Sequence, residues 1–228
     1  MSELAQNGPG KQALDALAAL LEEHSTGAGR ITPRPRGYRL TPEVRGILEA
    51  AVTQAEASPE NTSTMIYANG CYAVGRYEDA AQVYLGILDD DLSDVDARFN
   101  LGLAYLRMRD PETAVGIFTG LLDMEPSLAE AYYQRGNGHD DLGLAENALA
   151  DYTRAIEMDP GYVHAMYNRG IVLAQLGRHH EAVAQFDRVM AAQPDISNAY
   201  LNRGASLDEL GLHDEAVASY TRAVELNP

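Results

Sequence analysis

Three places in this 228-residue chain carry side chains of the kind that do chemistry: His139-Asp140-Asp141, the pair His179-His180, and the single Cys71. A histidine beside two carboxylates is raw material for proton transfer. His139, however, takes a position that its counterparts 34 residues away give to Tyr105 and Leu173, so a hydrogen-bonded core histidine is expected. His179 and His180 are adjacent at a helix start, where neighbouring side chains diverge and cannot share one metal. Cys71 has no evident histidine partner and falls at a buried helical position, which makes it a packed thiol rather than a nucleophile. No glycine-rich phosphate loop follows a strand. Catalytic residues, metal ligands and cofactors are therefore not expected. Another chemistry is offered by carboxamides: Asn100, Gln134, Asn168 and Asn202 stand 34 residues apart, and each carries donors and an acceptor that suit a peptide backbone.

The same spacing governs the elements that must hold these groups. Ala80, Ala114, Ala148, Ala182 and Ala216 are 34 apart, as are Tyr84, Phe118, Tyr152, Phe186 and Tyr220. Ala68, Gly102, Gly136, Gly170 and Gly204 form a third series, and Pro126, Pro160, Pro194 and Pro228 a fourth. Small, small, aromatic and proline at fixed offsets predict one antiparallel helix pair per repeat, with boundaries at 61–94, 95–128, 129–162, 163–196 and 197–228. In the fourth repeat helix A is expected over Val163 to Leu176, Gly177 in the turn, and helix B over Arg178 to Ala192 before Pro194. Gly170 and Ala182 omit bulk so the pair can approach, and Phe186 fills the space at their crossing. A large residue at Ala182 would cost about 1–3 kcal/mol by overpacking. The third repeat is irregular, since Gly136-Asn137-Gly138 adds a glycine worth about 0.5–1 kcal/mol against helix. In the second, Asp110 is an N-cap candidate with Pro111 at the first helical position. The first repeat leaves through Asp89 to Asp91, without proline.

On these residues the chain resembles the tetratricopeptide-repeat (TPR) family of bacterial type, and the resemblance implies an all-α superhelical solenoid of antiparallel helix pairs. It also implies that helices A line a concave face. The carboxamide row would then form a ladder similar to that of the TPR domain of the transferase that attaches N-acetylglucosamine to serine and threonine, with Gln134 as the departure. Phe99, Tyr133, Tyr167 and Leu201 would add aromatic and aliphatic surface beside it. Asp140, Asp141, Asp208 and Glu209 would give acid walls, with Glu130 and Asp96 near the rim. The expected peptide-binding set is Phe99, Asn100, Tyr133, Gln134, Asn137, Asp140, Asp141, Tyr167, Asn168, Asn202, Asp208 and Glu209. A clamp for a terminal carboxylate is not expected: Asn69 and Asn100 could supply its asparagines, but Met65, Glu130 and Gln134 stand at its cationic positions. Arg135, Arg169 and Arg203 recur with the repeat and are expected to bond acids or carbonyls between helices.

A formal charge of −17 disfavours sequence-independent nucleic-acid binding and acidic membrane surfaces. Residues 61–228 carry 26 acidic against 11 basic side chains, whereas residues 25–45 carry five arginines and one glutamate, the only basic island. No apolar run approaches 18 residues, and the first 25 lack a cationic start and apolar stretch, so a cytoplasmic location is the default. One cysteine excludes an internal disulfide.

Residues 1–60 form the other expected region. Lys11 to His24 reads as an amphipathic helix, and Thr41-Pro42-Glu43 starts another reaching Ala57, a candidate half-repeat cap with Gly46 and Ala50 at its repeat positions. Ser25 to Leu40 reads as an extended linker. The chain stops at Pro228 without a polar capping helix, so pairing with another molecule or continuation into a longer protein is expected. The functional expectation is a non-enzymatic scaffold or adaptor that holds an extended basic peptide of a protein partner in an acidic groove. One alternative places the chain's own segment with Arg30, Arg34, Arg36 and Arg39 in that groove, giving self-inhibition or self-assembly. The other rests on residues 65–106, where Gly75-Arg76-Tyr77-Glu78-Asp79-Ala80 resembles the translocator chaperones of type III secretion.

Overall fold

Gly170 has no room for a side chain: a Cβ there would lie 2.8 Å from Cε1 of Phe186. The same contact recurs with the repeat, between Gly102 and Phe118, Gly136 and Tyr152, and Gly204 and Tyr220, at 2.6–2.7 Å. In these four repeats the aromatic ring of helix B thus presses against the bare backbone of its helix A, which fixes how closely the pair packs. The third repeat makes the same contact at Gly136 and stays helical from Ala129 to Asp141 in spite of its extra glycine, Gly138.

The computed structural model describes residues 9–24, 29–31 and 40–227, in two units divided between Glu125 and Pro126. The first unit contains α1 (Pro9–His24), α2 (Pro42–Glu56), a short 3-10 turn at Pro59–Asn61, α3 (Met65–Val74), α4 (Tyr77–Asp90), α5 (Val95–Arg107) and α6 (Pro111–Met124). The second contains α7 (Ala129–Asp141), α8 (Ala145–Met158), α9 (Val163–Gln175), α10 (His179–Ala192), α11 (Ser197–Glu209) and α12 (His213–Leu226). No strand occurs among the described residues. Within each unit consecutive helices pack as antiparallel pairs, pair upon pair.

The turns between paired helices reuse one device. Gly75, Gly143, Gly177 and Gly211 each adopt φ between 72° and 91°, the left-handed region open to glycine. Arg109 occupies the equivalent place in the second repeat with φ 61°. Its turn is held from the far side by Asp110, whose carboxylate accepts from Thr113 N at 3.1 Å ahead of Pro111.

The two N-terminal helices belong to the first unit. Leu17 of α1 and Val52 of α2 both close on Gly70 of α3, 2.9 Å from where its Cβ would stand. Asn61 ties them together by donating to the carbonyls of Gly10 and Ala55. Thr41 caps α2 as expected, accepting from Val44 N. Gly46 and Ala50, however, face solvent, and α2 packs instead through Leu48, Val52 and Ala55. No helix among the described residues is long and apolar enough to cross a membrane.

Candidate functional site

Helical spacing puts Asp96, Phe99 and Asn100 on one face of α5, and Met65 and Asn69 on one face of the neighbouring α3. The two asparagines are wholly buried and hydrogen-bonded to each other: Asn100 Nδ2 donates to Asn69 Oδ1 at 3.1 Å. Tyr84 Oη of α4 donates to the same oxygen at 2.7 Å. Burial pushes the Tyr84 phenol well up, which keeps it a donor. With its oxygen taken twice, Asn69 must turn its nitrogen outward.

That nitrogen meets the chain's own N-terminal segment. Asn69 Nδ2 donates to Gly29 O at 2.7 Å, Asn100 Nδ2 donates to the same carbonyl at 3.0 Å, and Ile31 N donates to Asn100 Oδ1 at 2.8 Å. Backbone is therefore read by carboxamides, independent of the side chains at 29 and 31. Side chains add to it: Ile31 is 1% exposed, and Arg30 Nε donates to Asp96 Oδ1 at 2.7 Å with its guanidinium 5.6 Å from the Phe99 centroid. The Arg30–Asp96 pair is half-exposed and adds about 0–1 kcal/mol. The three backbone bonds, at about 0.5–1.5 kcal/mol each, are collectively larger. Arg34, Arg36 and Arg39 of the same basic island lie outside the described residues.

Exactly two repeats on, the second unit repeats the network. Asn168 Nδ2 donates to Asn137 Oδ1 at 2.8 Å and Tyr152 Oη donates to it at 2.9 Å. The difference lies in what satisfies the outward donors. Where the first unit has Met65 and Ile66, the second has Tyr133 and Gln134. Asn137 Nδ2 donates to Gln134 Oε1 at 3.0 Å, and Asn168 Nδ2 reaches Tyr133 Oη at 3.3 Å. Two side chains thus stand in for the peptide carbonyl. Gln134, Asn137 and Asn168 are linked to one another by these bonds rather than standing in a solvated row. Asn202 does likewise, donating to Tyr167 Oη at 2.9 Å.

The aromatic row needs correction. Phe99 is wholly buried, its ring edge-on to Phe118 of its own helix pair with centroids 5.7 Å apart. Tyr133 is half-buried among Tyr152, Tyr162 and His164, and Tyr167 packs on Phe186. Leu201 alone of that row is exposed. Of the acids, Asp208 pairs with His213 at 2.6 Å at the α11–α12 turn, Asp141 and Glu209 are exposed, and Asp140 is half-exposed. Asp96 meets a basic side chain of the N-terminal segment, Arg30.

Asn69 carries the site yet was missing from the expected set. Its own 34-residue series runs Asn69, Leu103, Asn137, Ile171, Ala205, so carboxamides stand there in the first and third repeats only and form no row at single spacing. His139 is a core histidine, its Nδ1 2.9 Å from Oδ2 of the buried Asp151, which also accepts two bonds from Arg135. Cys71 is fully buried, and burial pushes its thiol up. No cluster of three metal-ligating side chains occurs among the described residues.

The tetratricopeptide repeat profile matches residues 68–129, 102–162, 133–195 and 167–228. Among solved structures, MamA is similar at 26% identity and a TM-score of 0.67, covering 70% of this chain and 93% of that one. YrrB, described as a TPR protein with an unusual peptide-binding site, shares 23% identity with a TM-score of 0.64, covering 79% of this chain and 92% of its own. No curated protein matches the chain.

Proposed function

The chain belongs to the tetratricopeptide-repeat family, and from that premise we propose that it is a non-enzymatic interaction scaffold that grips an extended basic segment through Asn69, Asn100 and Asp96. The observation that carries this reading is the seat of Gly29–Ile31, where one carbonyl and the amide two residues on meet two buried carboxamides and the intervening arginine meets an acid. A segment held in this way is a model of the ligand: small residue, basic residue, aliphatic residue, read chiefly through its backbone.

The same observation favours the chain's own segment as the resident occupant. A partner segment, or that of a second copy, then competes with residues 29–31 and not with water. A translocator chaperone is the special case in which the incoming segment belongs to a secreted protein, and coexpression with such a partner distinguishes it.

Ile31→Asp in the full chain tests the reading, because it removes the buried apolar anchor and leaves the asparagines intact. A fluorescent peptide of residues 26–36 is expected to bind this variant at least about tenfold more tightly than the wild type, and to lose that gain when Asn100→Ala is added. Equal, Asn100-independent anisotropy in all three chains would exclude the site. Light scattering of the wild type reports whether the segment is exchanged between copies.

A further inference from the structure

Arg135, Arg169 and Arg203 occupy the same place in three successive repeats, yet their surroundings differ. Arg135 makes a two-pronged bond to Asp151, at 2.9 and 2.7 Å, sixteen residues on. Arg203 reaches back sixteen residues to Asp187 at 2.6 Å and forward to Ser219 at 2.7 Å. At Arg169 the forward position is Gln185 and the backward one Thr153. Its Nε donates to Thr153 Oγ1 at 3.0 Å, and Gln185 is engaged by Arg188 instead. Arg169 is thus the member of the series that has no carboxylate in either slot.

It also lines an open surface pocket of about 320 Å³, together with Arg154 and Arg178. Two glutamates line the same space, but neither compensates Arg169. Glu157 is taken by Arg154 at 2.9 Å, and Glu146 is a largely exposed side chain 3.9 Å from Arg178. Arg178 is held by Glu181 of its own helix. Burial holds the Arg169 guanidinium below its ordinary value, and the nearby Arg178 and Arg188 push the same way, with Glu181 opposing. A half-buried cation flanked by further cations favours a multiply charged anion, and the planar guanidinium fork suits its oxygens.

We propose that this open pocket, formed by α8, Arg169 of α9 and Arg178 just ahead of α10, is an oxyanion site for a phosphate group, with Arg169 as its central ligand and Arg154 and Arg178 at its sides. The site is separate from the carboxamide pair of the first unit. A pocket several times larger than a phosphate ion admits either the free ion or a phosphoryl group carried on a partner's side chain.

The test is a titration of the full chain with inorganic phosphate and, separately, with phosphoserine at constant ionic strength, followed by NMR at the Arg169 Nε–H and the Thr153 amide. Saturable shifts with both are expected, reduced at least about tenfold by Arg169→Gln and unchanged by Arg222→Gln, whose guanidinium pairs with Glu225 on another helix. Phosphoserine binding the tighter identifies a phosphorylated partner, and inorganic phosphate binding the tighter identifies the free ion. Shifts that do not saturate, or that persist in Arg169→Gln, would overturn the proposal. Arg178→Gln, at a half-exposed position, gives the same reading should Arg169→Gln not fold.

Discussion

Asn100 donates from Nδ2 to Oδ1 of Asn69, and this one bond orients both carboxamides for a ligand. It uses up the oxygen of Asn69, so the remaining amide hydrogens point at a carbonyl, and it leaves the oxygen of Asn100 for an incoming N–H. Tyr84, sealed beneath, fixes the pair against rotation. The site is pre-organised by neutral groups, so its grip on backbone survives salt while the Arg30–Asp96 contribution is screened.

Asn100→Asp separates these functions. It keeps the shape and the acceptor for Ile31 N but removes the donors to Gly29 O and to Asn69. Removal of one partner of a buried bond costs about 1–3 kcal/mol. The segment should therefore be released: protection of the Ile31 amide from hydrogen exchange should fall about tenfold or more, and trypsin should cut faster after Arg30. Unchanged protection would mean that Ile31 alone holds the segment.

Much of this was legible in the sequence, and the part that was not has a physical cause. Ala182, Gly170 and Phe186 announce a helix pair because each acts within one repeat, and the contact they predict is the contact found. Asn100 and Asn168 were also visible by spacing. Their fates differ because of Met65 and Ile66 against Tyr133 and Gln134, which are neighbours in space from the preceding helix A. No single-row pattern reveals whether a carboxamide is already satisfied. Phe99 was misplaced for a related reason, since helix periodicity gives a face but not what covers it.

Glycine positions make a quantitative pair of expectations. Gly170→Ala places a methyl 2.8 Å from the Phe186 ring, which is itself wholly buried, and should destabilise by about 1–3 kcal/mol. Gly86→Ala, with open space around its Cβ in the middle of α4, should instead stabilise by about 0.5–1 kcal/mol. Urea unfolding monitored by circular dichroism measures both, and equal effects at the two positions would refute the packing account.

Arg109 stands in a left-handed turn that glycine fills in the four equivalent places. Arg109→Gly relieves that backbone cost and should stabilise by up to about 1 kcal/mol, less the entropy glycine adds to the unfolded chain. Differential scanning calorimetry would detect this as a rise in Tm of a few degrees, and a fall in Tm would show that the Asp110 cap already absorbs the strain.

Glu56 sets one acid limit of the first unit. Its hydrogen bonds from Arg76, and then from Tyr67, hold its carboxyl below the usual carboxylate range. A lowered folded value means that the stabilisation is present above the unfolded value of about 4.3 and is lost as pH falls through the folded one. The pair is partly exposed, so its worth is at most about 1 kcal/mol. Arg76→Gln should accordingly cost stability at pH 7 and progressively less as the solution is acidified, when both chains are compared by urea unfolding. A difference that stays constant down to pH 2 would assign the Arg76 contribution to packing instead.

The second carboxamide pair offers the most direct proof of what closes it. Tyr133 and Gln134 satisfy the donors of Asn168 and Asn137, so a peptide carbonyl gains little by entering. Tyr133→Met with Gln134→Ile restores the residues found at Met65 and Ile66 and leaves those donors unmet, at a cost of about 1–3 kcal/mol each that a ligand carbonyl can recover. His164 stands where the first unit has Asp96, so an arginine between the gripped carbonyl and amide finds no acid until His164→Asp is added. The triple variant should be less stable than the wild type alone and regain stability in the presence of the residue 26–36 peptide. Calorimetry should find about one more binding site per chain than in the wild type. Destabilisation without new binding would show that the geometry of the pair, and not its satisfied donors, keeps peptides out.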